Sequence, residues 1–158
     1  MKVVAYSIKS FEKEPLAIAN RKRHDITLIS NVLSVDSVSY AEGKEAVIVF
    51  EEDDLSAAVI NSLADLGVKY IATRSTSAAH IDQDAAALRA IRIASVPLTA
   101  LIGLNHTDMP MALAEETILN LDKWQNKRCL GNACVCSRAC DQVKQTSSKN
   151  HNVQTHEH

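Results

Sequence analysis

The chain has little glycine: four residues in 158, at Gly43, Gly67, Gly103 and Gly131. None lies close enough to another for a G-x-G-x-x-G turn, in which one glycine makes the bend, a second lets the backbone approach a pyrophosphate and a third packs helix on strand. No G-x-x-x-x-G-K-[ST] run exists either, so both common glycine-rich phosphate cradles are excluded. Aromatic residues make up only 4% of the chain, which leaves no platform for stacking bases. Seventeen basic against 19 acidic residues give a net charge of −2, without the global excess that nucleic acid or an anionic membrane selects. Apolar runs are short, such as 46–50, far below the ~18 residues of a spanning helix. At the start, MKVVAYSIKSFEKE has lysines on both sides of an apolar run too short for a signal-peptide core. The expectation is a cytoplasmic protein that contacts neither nucleic acid nor membrane.

What the chain does have is alternation. Short β-branched runs at 2–6, 25–29, 45–50, 68–73 and 92–96 lack polar alternation, as strands buried on both faces do. Between them lie helical patterns. One is expected to begin near Pro15, since proline suits a first turn, and to run to about Arg23. A second spans 55–66, with Val59, Leu63 and Leu66 on one side and Gly67 as its stop. A third spans 82–90, capped by Asp82, and a short helical turn is possible at 35–41. The last, about 109–127, sets Met111, Ala114, Ile118 and Leu121 at three- and four-residue spacing to dock on the sheet. This pattern predicts an α/β fold: a flavodoxin-like, doubly wound, five-stranded parallel sheet of order 2-1-3-4-5, closed by a C-terminal helix. Residues 1–127 form one domain on this reading. Residues 128–158, polar and without apolar period, form a disordered, cysteine-bearing tail.

Several words of the sequence are specific. MKVVAYSIKSFEKE, YAEGKEAVIVF, LADLGVKYIATRS and HID, then the strand leading to Val96-Pro97, resemble the N-terminal part of the catalytic domain of D-2-hydroxyacid dehydrogenases, closest to the D-lactate dehydrogenase branch. LNHTDMPMALAEETILNLDKW, residues 104–124, resembles the last segment of the same family, where a histidine precedes a long final helix. In that family the two pieces build one discontinuous domain with a complete nicotinamide-binding domain inserted between them. Here only residues 98–103 separate them. The resemblance therefore implies the same sheet order and a family member without its cofactor domain, so that NAD enters through the family alone.

His106 occupies the place of the family's catalytic histidine, which exchanges a proton with the substrate hydroxyl. Imidazole suits that task because its unperturbed pKa lies near 6.5. The acidic residue that orients it and the arginine that holds the substrate carboxylate belong, in the family, to the missing domain. His106 is then a vestige or a hydrogen-bonded structural residue. The loop 74–79 follows the fourth strand, where family members offer backbone N–H groups to the substrate carboxylate. It reads RSTSAAHID where the family pattern is close to RSAGTDHID. Ser77 stands at the glycine position and Ala79 replaces the aspartate before His80. The family's VP-x-Y-S is here Val96-Pro97-Leu98-Thr99-Ala100, without the tyrosine. Thr76 and Ser77 are candidate substrate contacts, or simply shape the loop. Lys9, after the first strand, can attract a small carboxylate or be solvated. His24, in the basic loop 21–24, is explained by a helix C-terminus.

All four cysteines, Cys129, Cys134, Cys136 and Cys140, fall within twelve residues. Thiolates at this density suit Zn, Cu(I) or an iron–sulfur cluster, but the spacing matches no standard motif, and local disulfides or free thiols compete. Taken together, the chain reads as a stand-alone relative of the dehydrogenase catalytic domain. It is expected to lack dehydrogenase activity of its own, to act as a binding or interaction module, and to form a homodimer through the surface that the cofactor domain would cover. The alternatives are an oxidoreductase component acting on 2-hydroxy acids, with NAD supplied through another chain, and a metal- or redox-responsive protein using the cysteines.

Overall fold

The computed structural model describes residues 1–135. Five strands form one all-parallel sheet in the order β2-β1-β3-β4-β5: β1 Lys2–Ala5, β2 Asp25–Leu28, β3 Ala46–Val49, β4 Tyr70–Thr73 and β5 Arg92–Ala94. This is the order expected from the alternation. Alternate strand residues feed two cores. Val4, Val47, Val49, Ile71 and Ile93 face helices α2 (Ala57–Asp65) and α3 (Gln83–Leu88), meeting Val59, Ile60 and Leu63. On the other face the strands present mainly small side chains, Ala5, Ala46, Ala72 and Ala94, and two helices close over them. These are α1 (Ser10–Asn20), through Leu16 and Ala19, and α4 (Met109–Gln125), through Ala114, Ile118, Leu121 and Trp124. The Trp124 ring stacks on Tyr70, with centroids 4.8 Å apart. Of the stripe expected on the final helix, Met111 is only half-buried and the other three are core.

The caps follow local chemistry. Asp82 Oδ1 accepts the Ala85 N–H at 3.0 Å and starts α3. Gly67, at φ +97°, ends α2 by letting Val68 N–H reach the Leu63 carbonyl, a conformation that a side chain would strain. The short turn near residue 38 is a single 3-10 turn, Val38–Ala41.

Three expectations need correction. Helix α1 begins at Ser10 and carries Pro15 inside it, not at its start. Its true start is fixed by Glu12, whose carboxylate accepts the Lys9 N–H while the Glu12 N–H bonds the Lys9 carbonyl. An interior proline lacks the N–H for the i−4 hydrogen bond and crowds that carbonyl with its ring, a cost of about 3 kcal/mol to the helix. His24 is not a surface dipole partner. It is buried, its Nε2 lies 2.7 Å from Asp122 on α4, and its Nδ1 lies 3.4 Å from the N-terminal amine. Asn20 holds the His24 backbone from both sides, and Arg23 takes the other Asp122 oxygen at 2.8 Å.

Nor do residues 128–135 belong to a disordered tail. They pack on the domain: Leu130 and Ala133 are buried in the α1/α4 core, and Gly131–Ala133 forms a 3-10 turn. Ser95 N–H donates to Ala133 O and Val135 N–H to Ile93 O, so this segment runs antiparallel along β5 and covers its edge. Single apolar residues spaced by polar ones carry no period, which is why the sequence pattern misses such a strap.

Candidate functional site

In a doubly wound sheet the crevice for ligands opens beyond the carboxyl ends of the strands, where the strand order reverses. Here that point lies between β1 and β3. Ser7, just past β1, adopts a left-handed conformation at φ +56°, an uncommon and costly state for a residue with a side chain. Three bonds hold it there. Its N–H donates to Asn31 O, its Oγ donates to Asp53 Oδ1 at 2.6 Å, and its carbonyl accepts from Arg74 at 3.2 Å. Asp53 is buried and fully engaged: Oδ1 also accepts Leu33 N–H at 2.8 Å and Oδ2 accepts Phe50 N–H at 2.7 Å. Tyr6, also buried, donates its hydroxyl to Ser37 O. Burial, then the charge of Asp53 and then Tyr40, push its phenol up to about 12.

Arg74, at the end of β4, is the hub of this edge. Only 2% exposed, it forks onto Glu12 with Nε to Oε2 at 2.6 Å, donates to the Tyr6 and Ser7 carbonyls, and lies over the Phe50 ring, 5.2 Å from its centroid. Guanidinium is suited to this because its five donors sit in a fixed plane. Sequence reasoning passed over Arg74, Glu12, Phe50 and Asp53. Their signal is polar or aromatic residues immediately after buried strands, where the chain must leave the sheet and bond its own carbonyls.

Beside this hub lies a cavity of about 290 Å³ between the starts of α1 and α4. Phe11, Leu16, Phe50, Met109 and Leu113 supply an apolar wall, and Lys9, Glu12, Arg74 and His106 supply polarity. His106 thus comes together with Lys9 at one cavity. It sits on the exposed link before α4, and no described side chain hydrogen-bonds its ring. Lys9 is neither lone nor merely solvated: its Nζ pairs with Glu52 at 2.7 Å. Both cations at the cavity are therefore already matched by carboxylates.

Thr76 and Ser77 do not line this cavity. Their loop bonds to itself: Ser75 Oγ donates to Glu51 at 2.7 Å and accepts the Ser77 N–H, and Ser77 Oγ accepts the Ala79 N–H at 3.3 Å. Two N–H groups of this loop are thus taken by serine oxygens. His80 Nε2 and Thr73 Oγ1 are buried without a partner among the described residues. Of the cysteines, Cys129 is exposed and free, and its sulfur accepts the Gly131 N–H at 3.4 Å. Cys134 is disulfide-bonded, so of the readings open for the cysteine cluster a disulfide holds at this position. Cys136 and Cys140 lie outside the described residues. No group of three or more metal-ligating side chains is gathered among the described residues, and no described helix is long and apolar enough to cross a membrane.

Residues 3–102 match the family model for the catalytic domain of D-isomer specific 2-hydroxyacid dehydrogenases. The chain belongs to this family. Among curated relatives, the D-lactate dehydrogenase of Lactiplantibacillus plantarum is 28% identical over 125 residues, covering 76% of this chain and 38% of the relative. A 2-hydroxyacid dehydrogenase homolog of Haemophilus influenzae is 33% identical over 119 residues, covering 75% and 33%. Among solved structures, the apo D-lactate dehydrogenase of Escherichia coli is 34% identical, with a TM-score of 0.60 over 61% of this chain and 31% of that one. A D-lactate dehydrogenase from Lactobacillus jensenii, solved with NAD+, is 26% identical with a TM-score of 0.56, covering 64% and 32%. The chain spans about a third of the length of these relatives. Its five-stranded parallel sheet matches the fold of these dehydrogenases.

The dinucleotide used by the family does not fit the β1–β3 crevice of this family domain. The turn after β1 has no glycine, and its Ser7 and Ile8 N–H groups are spent on Asn31 O and Ile29 O. Beyond β3 run Glu51, Glu52, Asp53 and Asp54, four carboxylates where a pyrophosphate would need donors.

Proposed function

We propose that this domain is the substrate-facing half of the D-2-hydroxyacid dehydrogenase architecture working as a binding or interaction module, without dehydrogenase activity of its own. The observation that carries this reading is the direct passage from β5 to α4 through the short link 98–103, where the family resemblance places an inserted nicotinamide-binding domain, with no glycine-rich turn elsewhere in the sequence to replace it. The His106 cavity keeps a shape suited to a small molecule with an apolar body. Its two cations, however, are neutralised by Glu12 and Glu52, so a ligand carboxylate has to displace an existing ion pair. The module is assembled as a homodimer through the link 98–104.

A second reading is favoured by one observation, the exposure of His106 at the cavity mouth. On that reading the chain is an oxidoreductase component for 2-hydroxy acids, with NAD carried by another chain. Steady-state assays of NADH consumption with pyruvate, and calorimetric titrations with each, separate the two. The module reading expects no turnover and no NADH binding by the purified protein. Turnover that disappears in His106→Ala would overturn it in favour of the second.

A further inference from the structure

The charges of this domain are sorted along the strand direction. Among the described cations, only Lys9, Lys13 and Arg74 lie toward the carboxyl edge, where the His106 cavity opens; the others lie toward the amino edge. Carboxylates show the reverse preference, with Glu51, Glu52, Asp53, Asp54 and Asp108 all at the carboxyl edge. At the amino edge, Asp65 is taken by Arg89 at 2.6 Å, and Asp122 by Arg23 and His24. Glu45 accepts the Lys2 N–H, which leaves Asp25 and Glu42 as the remaining acids there. A net charge near zero thus hides a strong polarity.

The cations concentrate where α1 and α4 end together. Arg21 and Lys22 turn the chain into β2 in left-handed conformations, φ 48° and 59°, and Lys127 does the same after α4, φ 56°. Between them a groove of about 460 Å³ is lined by Arg23, Lys123, Arg128, Gln125, Asn126 and Asp122, with Leu119 alongside. Helix C-termini attract cations to compensate the backbone dipole, by about 0.3–1 kcal/mol each. That accounts for one or two. It does not account for two helix ends, each followed by exposed cations, converging on a groove that also offers side-chain amides.

We propose that this groove is a docking site for an acidic polypeptide segment. The inference goes beyond the reading of the His106 cavity, which lies at the opposite edge, and does not depend on it. Charge complementarity selects an anion, and the lining selects its kind. No aromatic ring lines the groove to stack bases. Leu119 alone offers little to insert into a lipid surface. Arg23 is already spent on Asp122 and on the Ala19 and Asn20 carbonyls, so the Arg128 guanidinium, Lys123 and the side-chain amides are the groups left to bond carboxylates presented on a backbone. The chain's own residues 136–158 are a poor occupant, because Arg138, Lys144 and Lys149 outnumber Asp141 and Glu157.

The test is fluorescence anisotropy with a labelled oligoglutamate, against an oligothymidylate of equal charge and phosphatidylserine vesicles. The proposal expects saturable binding of oligoglutamate at about 50 mM salt, weakened about tenfold or more by about 200 mM. The exposed triple variant Lys22→Glu/Lys127→Glu/Arg128→Glu is expected to lose it, with an unchanged unfolding midpoint. Lys13→Glu, toward the other edge, is expected to keep it. Should the triple variant fold poorly, Lys22→Glu alone is expected to weaken binding severalfold. No saturable binding, equal binding by the triple variant, or tighter binding of oligothymidylate or vesicles would each overturn the proposal. So would salt-sensitive self-association lost in the same variant, which assigns the groove to the acidic edge of a second copy.

Discussion

At the scale of single residues, the carboxyl edge is held by charges that were brought inside and fully bonded. Removing the buried Arg74 leaves the partly buried Glu12 and two buried carbonyls unmatched, which is worse than having neither partner. Arg74→Met is therefore expected to destabilise the domain by about 3–5 kcal/mol, through Glu12 and the released Tyr6 and Ser7 carbonyls. A change under about 0.5 kcal/mol in denaturant unfolding would contradict that role for Arg74. Tyr6 supplies a pH signature. Its folded pKa of about 12 lies above the ordinary value of 10.0, so the native state holds the phenolic proton more tightly than the unfolded chain. The stabilisation is complete below about pH 10 and is lost as pH rises toward 12, by about 3 kcal/mol in all. Tyr6→Phe should flatten that alkaline limb, and ultraviolet titration should find one of the three tyrosines ionising with unfolding. His106 and Lys9 were named from their positions in the sequence, and the fold sets both at one cavity. Arg74 and Asp53 were not, because what they do depends on carbonyls and N–H groups that only the folded backbone brings within reach.

At the scale of elements, the strands and their order followed from buried runs alternating with amphipathic ones, since β3 and β4 are covered on both faces, although the edge strand β2 leaves Asp25 and Thr27 exposed. The helix starts were less legible. Proline's preference for a first turn pointed to Pro15, but the capping contact of Glu12, itself anchored by Arg74, moved the start to Ser10. A local propensity lost to a tertiary contact. The strap after α4 was invisible for another reason: Leu130 and Ala133 are isolated apolar residues, and only the free edge of β5 gives them a place to go. The strap therefore belongs to the fold, and truncation after Lys127 should lower the unfolding midpoint clearly. Leu130→Ala alone is expected to cost about 2–3 kcal/mol, as deletion of a buried leucine side chain does. A truncated chain with an unchanged midpoint would mean that the strap only rests on the surface.

At the scale of the whole molecule, the question is what covers the link between β5 and α4. In the family resemblance this link is where a second domain would leave and return, so residues suited to contact are expected on it. Leu98 and Ile102 are 70% and 74% exposed and Leu104 is 37% exposed, whereas Leu101 turns partly inward. Three exposed large apolar side chains within seven residues are proposed to form one patch, of the kind that marks an interface. Self-association about a twofold axis is the commonest way to cover it. The charge polarity adds a sign to the prediction. Two copies meeting at this edge bring carboxylates such as Asp108 toward one another, so salt should strengthen the dimer by screening their repulsion. Acidic-peptide binding at the other edge should respond to salt in the opposite sense. Light scattering at high micromolar concentration should give a dimer mass that persists or sharpens with added salt and falls to the monomer in Ile102→Lys. A monomer mass in the unaltered protein at all salt concentrations would rule this interface out. A dimer that dissolves in salt and ignores Ile102→Lys would instead place the contact between the acidic and basic edges.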